Sequence, residues 1–464
     1  MIRRRTVLGS LVAAALGTQL YPGTAWAAEN GGRRRIPWRN WSGSQQCFPA
    51  ARKAPANLEE LRELVASSTG TIRPVGAGHS FTPLVPTDGT LISLSRLSGI
   101  VDHDPDTLQA NLWGGTRLGD IGEPLEARGQ ALVTMPDIDE QSLAGSLATA
   151  THGTGVGIGS LSDFIVGLQL LDAQGELHDC DASNNPELFQ AARVSLGALG
   201  IVTQVRMQNM APYRLRRQTV WREFEEMMEL ADELADTHRT FEFFCIPFSG
   251  MGFTEAQDIT EDLPGSTDKV DMNDGTEDLK LARDWLEDFP RVRDLILGAG
   301  IGMLEDEETI TNSWKNYANE RNIRFNEMEY HLPRENGLQA LREVMEALES
   351  QHKEVFFPIE VRYVKGDDIW LSPFYQRDSC SIAIHRYFEE DYRPYFATIE
   401  PILRKYQGRP HWGKINTLGR KEFLELYPHW RDFEAVRREM DPKGRFLNEY
   451  LSGLFGERVQ GAGA

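Results

Sequence analysis

Cysteine is scarce: Cys47, Cys180, Cys245 and Cys380 are the only four in 464 residues, and none is close to another. No pair has the short spacing of zinc or dithiol motifs, so no metal site is expected. Disulfides stay open if the chain leaves the cytoplasm, but spacing does not fix a pairing. Positive charge is also in deficit. Against 69 Asp and Glu stand 49 Lys and Arg, a net charge of -20, which excludes general affinity for nucleic acid or anionic membranes. The longest apolar stretch falls short of the about 20 strongly apolar residues that span a bilayer, so no stable membrane anchor is expected.

That stretch follows Arg3-Arg4-Arg5, runs to about Leu20 and precedes Ala25-Trp26-Ala27. Charged start, short apolar run and small residues at a cleavage point predict a signal peptide over 1–27. The arginines give it twin-arginine character, with export machinery as partner and a periplasmic or extracellular destination. Residues 28–44 read as a leader. Beyond it, 41% hydrophobic content supports a large core, expected as two domains of α+β construction.

Pro55 to Ser68 has helical spacing, with Asn57 as N-cap, and leads into Arg73-Pro74-Val75-Gly76-Ala77-Gly78-His79-Ser80-Phe81. Glycines at this spacing let backbone N–H groups approach a phosphate, although a plain turn with a surface histidine also suits them. In a second stretch, Ser142 to Gly159, small residues dominate, hydroxyls are frequent and no Asp, Glu, Lys or Arg occurs. Such a backbone can lie against a large ligand, or permit tight helix packing. Further on, Phe356 to Val364 reads as a strand with Glu360 and Arg362 on one face, either a structural pair or a functional one. Ser381 to Tyr387 places His385 and Tyr387 together in the same way.

Gly76-Ala77-Gly78-His79-Ser80, Leu143-Ala144-Gly145-Ser146 with Thr151-His152-Gly153-Thr154-Gly155, Gly197 to Thr203 and His411-Trp412-Gly413-Lys414 occur in an order that resembles FAD-linked oxidases of the vanillyl-alcohol-oxidase type. The resemblance is strongest to sugar-1,4-lactone and alditol oxidases. It implies a two-part FAD-binding domain of PCMH type over 45–212 and an α+β substrate (cap) domain with an antiparallel sheet over 213–427. An acidic insertion is expected at about 255–320, and a C-terminal segment, 428–464, returning to the FAD domain.

By the same resemblance, Pro74, Val75, Gly76, Ala77, Gly78, His79 and Ser80 cradle FAD, with His79 bonded covalently to the flavin. Met135, Ser142, Gly145, Ser146, Thr149, Thr151, His152, Gly153, Ile201 and Val202 complete the cofactor site. Glu360, Arg362, Lys414 and His385 are the implied catalytic group. Asp137 departs from the small residues of alditol oxidases and joins that group as a candidate. The implied reaction is hydride transfer from a CH–OH group of a sugar lactone or polyol, with oxygen as acceptor. Two alternatives stay open: a dehydrogenase that reduces a quinone or cytochrome, and a non-catalytic exported binding protein on the same fold.

Overall fold

The computed structural model describes residues 36–265, 270–271, 273–286, 288–320 and 323–457. The expected signal peptide and residues 28–35 lie outside them. Asn57 caps the helix Leu58–Ser67: its side chain accepts the Glu60 N–H at 2.9 Å, while Glu59 and Glu60 in the first turn suit the helix dipole. Leu61 and Val65 bury one face of this helix, which delivers the chain to the strand Ile72–Val75. That strand and Ala51–Lys53 flank Thr90–Ser93 in a three-stranded parallel sheet. A five-stranded antiparallel sheet follows, in the order Ile100–Asp104, Gln109–Trp113, Ile201–Gln208, Ile165–Leu171, Leu177–Cys180. These two sheets make the first half.

The second half is an eight-stranded antiparallel sheet. Its order is Glu307–Asn312, Arg214–Glu223, Met251–Thr260, Thr240–Ile246, Ile359–Val364, Ser379–Tyr387, Phe325–Pro333, Arg409–Pro410. Helices Phe224–Thr237 and Arg334–Gln351 pack on it, and Phe325–Pro333 is buried at every position because both faces are covered. Along that strand apolar residues alternate with Glu327, Glu329 and His331, so one face meets the helices and the other is polar.

Two expectations need correction. Residues 36–44 are not all leader, since Trp38–Arg39 pairs with Gln46–Cys47 and Trp38 is buried. The acidic stretch about 255–320 is not all surface insertion either. Its first residues belong to the interior strand Met251–Thr260, and their charge is paired: Glu255 with Arg217, and Asp258 with His238 at 2.6 Å. Helices Asn273–Leu286 and Pro290–Ile301 do lie outside the sheet.

The C-terminal residues pack on the first half. Ile72 donates its N–H to the Arg445 carbonyl at 2.7 Å, Phe446 is buried with Leu61 and Ile72, and Asn448 donates to the carbonyls of Pro83 and Pro86. All four cysteines are free. Among the described residues no helix is long and apolar enough to cross a membrane.

Candidate active site

A cleft of about 320 Å³ lies where the halves meet. The loop 76–80 forms one wall, and the backbone N–H groups of Ala77, Gly78, His79 and Ser80 donate to no other part of the described protein. Four such donors, unpaired within the described protein, in a loop that lines a cleft make a candidate anion cradle. Gly76 is constrained by its neighbour and Gly78 by its backbone conformation. A Cβ at Gly76 would collide with the Ser142 hydroxyl, and Gly78 has a φ of +78°, with Trp38 3.3 Å from where its Cβ would sit. Beneath the loop, buried Arg73 donates to the carbonyls of Leu84 at 2.8 Å, Gly197 at 2.7 Å and Leu196 at 2.9 Å, and also to that of Phe446. One guanidinium therefore joins the loop, the 196–197 turn and the C-terminal segment.

Pro74, Val75, Ser142, Gly145, Ser146, Thr149, Thr151 and His152 line the cleft, as do Ile201 and Val202. Met135 and Gly153 do not. The Met135 side chain is 2% exposed in the main core, and Gly153 packs so closely that a Cβ would lie 2.5 Å from the Met135 carbonyl oxygen. These two are supports of the wall. Gly114, Gly115, Arg117, Ser93 and Ser95 line the cleft without having been singled out from sequence, because they carry no distinctive pattern.

The opposite wall is the polar face of the large sheet. Arg362 reaches Glu329 Oε1 at 2.6 Å through Nη2, Asp137 Oδ2 at 3.3 Å through Nη1 and Glu360 Oε1 at 3.4 Å through Nε. Lys414 pairs with Glu327. Glu327 and Glu329 were missed as site residues, although their two-residue alternation matches that of Glu360 and Arg362. Burial pushes both carboxyls up, but the Lys414 ammonium beside Glu327 and the Arg362 guanidinium beside Glu329 outweigh it and hold both far below the usual range. Glu329 also faces His152 Nε2 at 3.1 Å. Two trios of possible ligand atoms, His152/Glu329/His331 and Asp137/Glu242/Glu360, lie within 4.8 Å. Arg362 already reaches a carboxylate in each.

His385 is a further correction. It does not line the cleft: its Nε2 lies 3.7 Å from Glu327 and 3.9 Å from Glu360, and Phe325 stands edge-on to it at 4.7 Å. It supports the two carboxylates from behind. Asp137, Glu360, Arg362 and Lys414 all face the cleft.

Lys414 follows His411, which burial pushes down to about 3, against the raising effect of Glu329. The ring is thus neutral near pH 7, and its Nδ1 accepts the Gly413 N–H at 2.9 Å, setting the turn that presents Lys414. His79, across the cleft, is pushed down to about 4 by burial first and then by the charges of Lys414 and Arg117. It too is neutral near pH 7, with a nitrogen lone pair available.

The paired halves are those of a flavin enzyme. Residues 49–181 match the family model of an FAD binding domain, and the fold matches a solvent-stable cholesterol oxidase with a TM-score of 0.76 at 16% identity, over 90% of this chain and 97% of that one. Residues 205–454 match the D-arabinono-1,4-lactone oxidase model, and the chain belongs to that family. It is 37% identical to L-gulono-1,4-lactone dehydrogenase of Mycobacterium tuberculosis over 90% of this chain and 99% of that protein. It is 32% identical to L-gulonolactone oxidase of Bos taurus over 91% and 99%. With alditol oxidase of a Streptomyces species it shares 29% over 89% and 98%. The protein is an FAD-dependent oxidoreductase, and its four unused N–H groups and side-chain-free loop fit the cofactor's pyrophosphate.

Proposed function

We propose that this enzyme oxidises a CH–OH group of a sugar-1,4-lactone or related polyol, with oxygen as electron acceptor. The observation that carries the reading is that Glu360, Arg362 and Lys414 face the same cleft as the glycine loop. Bound FAD supplies a two-electron acceptor for the hydride. The loop 76–80 with Ser142 and Ser146 holds the cofactor, and His79, neutral and facing the cleft, forms the covalent link to it.

The chain's own groups do the rest. Arg362 and Lys414 orient the substrate hydroxyls and favour negative charge as the C–H bond breaks. Glu360 accepts the hydroxyl proton, within reach of Arg362. Glu327 and Glu329 hold the two cations in place. Trp41, Phe81 and Phe325 give the cleft an apolar side that excludes water.

A panel of aldono-1,4-lactones and alditols, assayed for peroxide release, tests this. Turnover with peroxide on at least one member is expected, and no turnover on any of them contradicts the reading. The name of the Mycobacterium tuberculosis relative favours a second reading, a dehydrogenase. Turnover with a quinone or cytochrome but without peroxide in air selects it. Export is proposed from the arginines and the apolar run of residues 1–27. A reporter fused behind residues 1–35 that stays in the cytoplasm refutes it.

A further inference from the structure

The hairpin between Trp38 and Cys47 crosses the glycine loop and is fastened to it at three points. Trp41 N–H donates to the Gly78 carbonyl at 2.8 Å, Asn40 Nδ2 to that of Ser80 at 3.0 Å, and Gln45 Nε2 to that of Phe81 at 3.1 Å. Asn40 is 5% exposed, and its Oδ1 accepts the Gln45 N–H at 2.9 Å, which closes the tip of the hairpin. At the tip the Trp41 indole stacks on the His79 imidazole, with centroids 5.5 Å apart and planes 26° apart. Phe325 at 5.1 Å and Phe81 at 6.4 Å meet the indole edge-on and prevent it from turning.

His79 needs such a guide. Its ring makes no hydrogen bond to any described residue, so packing alone sets its plane, and the stacked indole is the flat surface in contact with it. We propose that Trp41 is a positioning residue for covalent flavin attachment, and that the hairpin is a strap that holds the His79 imidazole in the plane from which it bonds to the cofactor. This rests on the covalent reading above. In the attachment step an imidazole nitrogen bonds to the flavin 8α-carbon, while one methyl C–H and the ring N–H each lose a proton. The two electrons released pass to the flavin ring system and from there to dioxygen, which leaves with the two protons as hydrogen peroxide.

The test is acid precipitation of purified full-length protein, with flavin measured in pellet and supernatant over time, for wild type, His79→Ala, Trp41→Ala, Trp41→Phe and Asn40→Ala. Wild type is expected to keep flavin in the pellet and His79→Ala to release all of it. Trp41→Ala should still bind FAD but attach it about fivefold more slowly, while Trp41→Phe, which keeps a flat ring, recovers most of the rate. Asn40→Ala leaves the indole and loosens the strap, so it should also slow attachment, and it serves if Trp41→Ala does not fold. Attachment in Trp41→Ala or Asn40→Ala at the wild-type rate overturns the strap. Release of all flavin by wild type overturns the covalent reading itself, a different result.

Discussion

Phe81 donates its backbone N–H to the carbonyl oxygen of Gly413 at 2.7 Å. This bond, with that from Thr82 Oγ1 to the Trp412 carbonyl at 2.7 Å, ties the loop carrying His79 to the turn carrying Lys414. The approach is close: a Cβ at Gly413 would lie 3.3 Å from Ser80 Oγ. The glycine-loop wall and the cationic wall are thereby set as one unit.

Lys414→Met removes one of the cations at the cleft and should lower kcat by about 10²–10³. It also strands the Glu327 carboxylate, so stability should fall by up to about 3 kcal/mol, the low end for a broken buried pair because Lys414 keeps some exposure. Adding Glu327→Gln should restore the melting temperature without restoring turnover. A double variant that regains both shows that Lys414 acts only as a structural partner.

Arg362→Lys keeps the charge but not the three-way fork that reaches Glu329, Asp137 and Glu360. The lost geometry should reduce kcat/KM by about 10²-fold, with FAD content unchanged. Steady-state kinetics beside flavin absorbance will check it.

Glu242, on the strand next to Glu360 and Arg362, is pushed well above the usual carboxylate range by burial first, then by Asp137, Glu255 and Glu360. Its folded value exceeds its unfolded one. The stability it contributes is therefore fully present below about pH 4.3 and is lost as pH rises through the folded value. Glu242→Gln should raise Tm at pH 8 by about 2–4 °C and change it little at pH 4. Thermal melts at both pH values decide; equal shifts at both contradict the assignment.

Gly76→Ala places a methyl group against the Ser142 hydroxyl and should weaken FAD retention, whereas Gly157→Ala, with nothing within 4 Å of its Cβ, should leave it unchanged. Flavin-to-protein absorbance ratios after gel filtration compare them.

The glycine loop, the small-residue stretch and the Glu360–Arg362 alternation were legible because each is local: steric demand in the first two, strand period in the third. The acidic face of Phe325–Pro333 has the same period. Its significance depends on register, with Glu327 opposite His385 and Glu360 opposite Ala383 across the shared strand Ser379–Tyr387, and one sequence does not reveal that pairing. Resemblance alone set His385 in the catalytic group, whereas the fold seats it beside Glu327 and Glu360, and Trp41 was hidden by a Gly- and Arg-rich approach that reads as leader. Met135 and Asp137 sit two apart in an irregular segment where no period says which side chain turns inward.

The most direct measurement is anaerobic mixing of the purified flavoprotein with aldono-1,4-lactones and alditols while the yellow flavin absorption is followed. It reads the reductive half of the reaction whatever the later acceptor is. The account predicts rapid bleaching by at least one of these substrates and bleaching slowed about 10²-fold or more in Lys414→Met. Flavin that stays oxidised with every lactone and polyol, or that bleaches equally fast without Lys414, contradicts it.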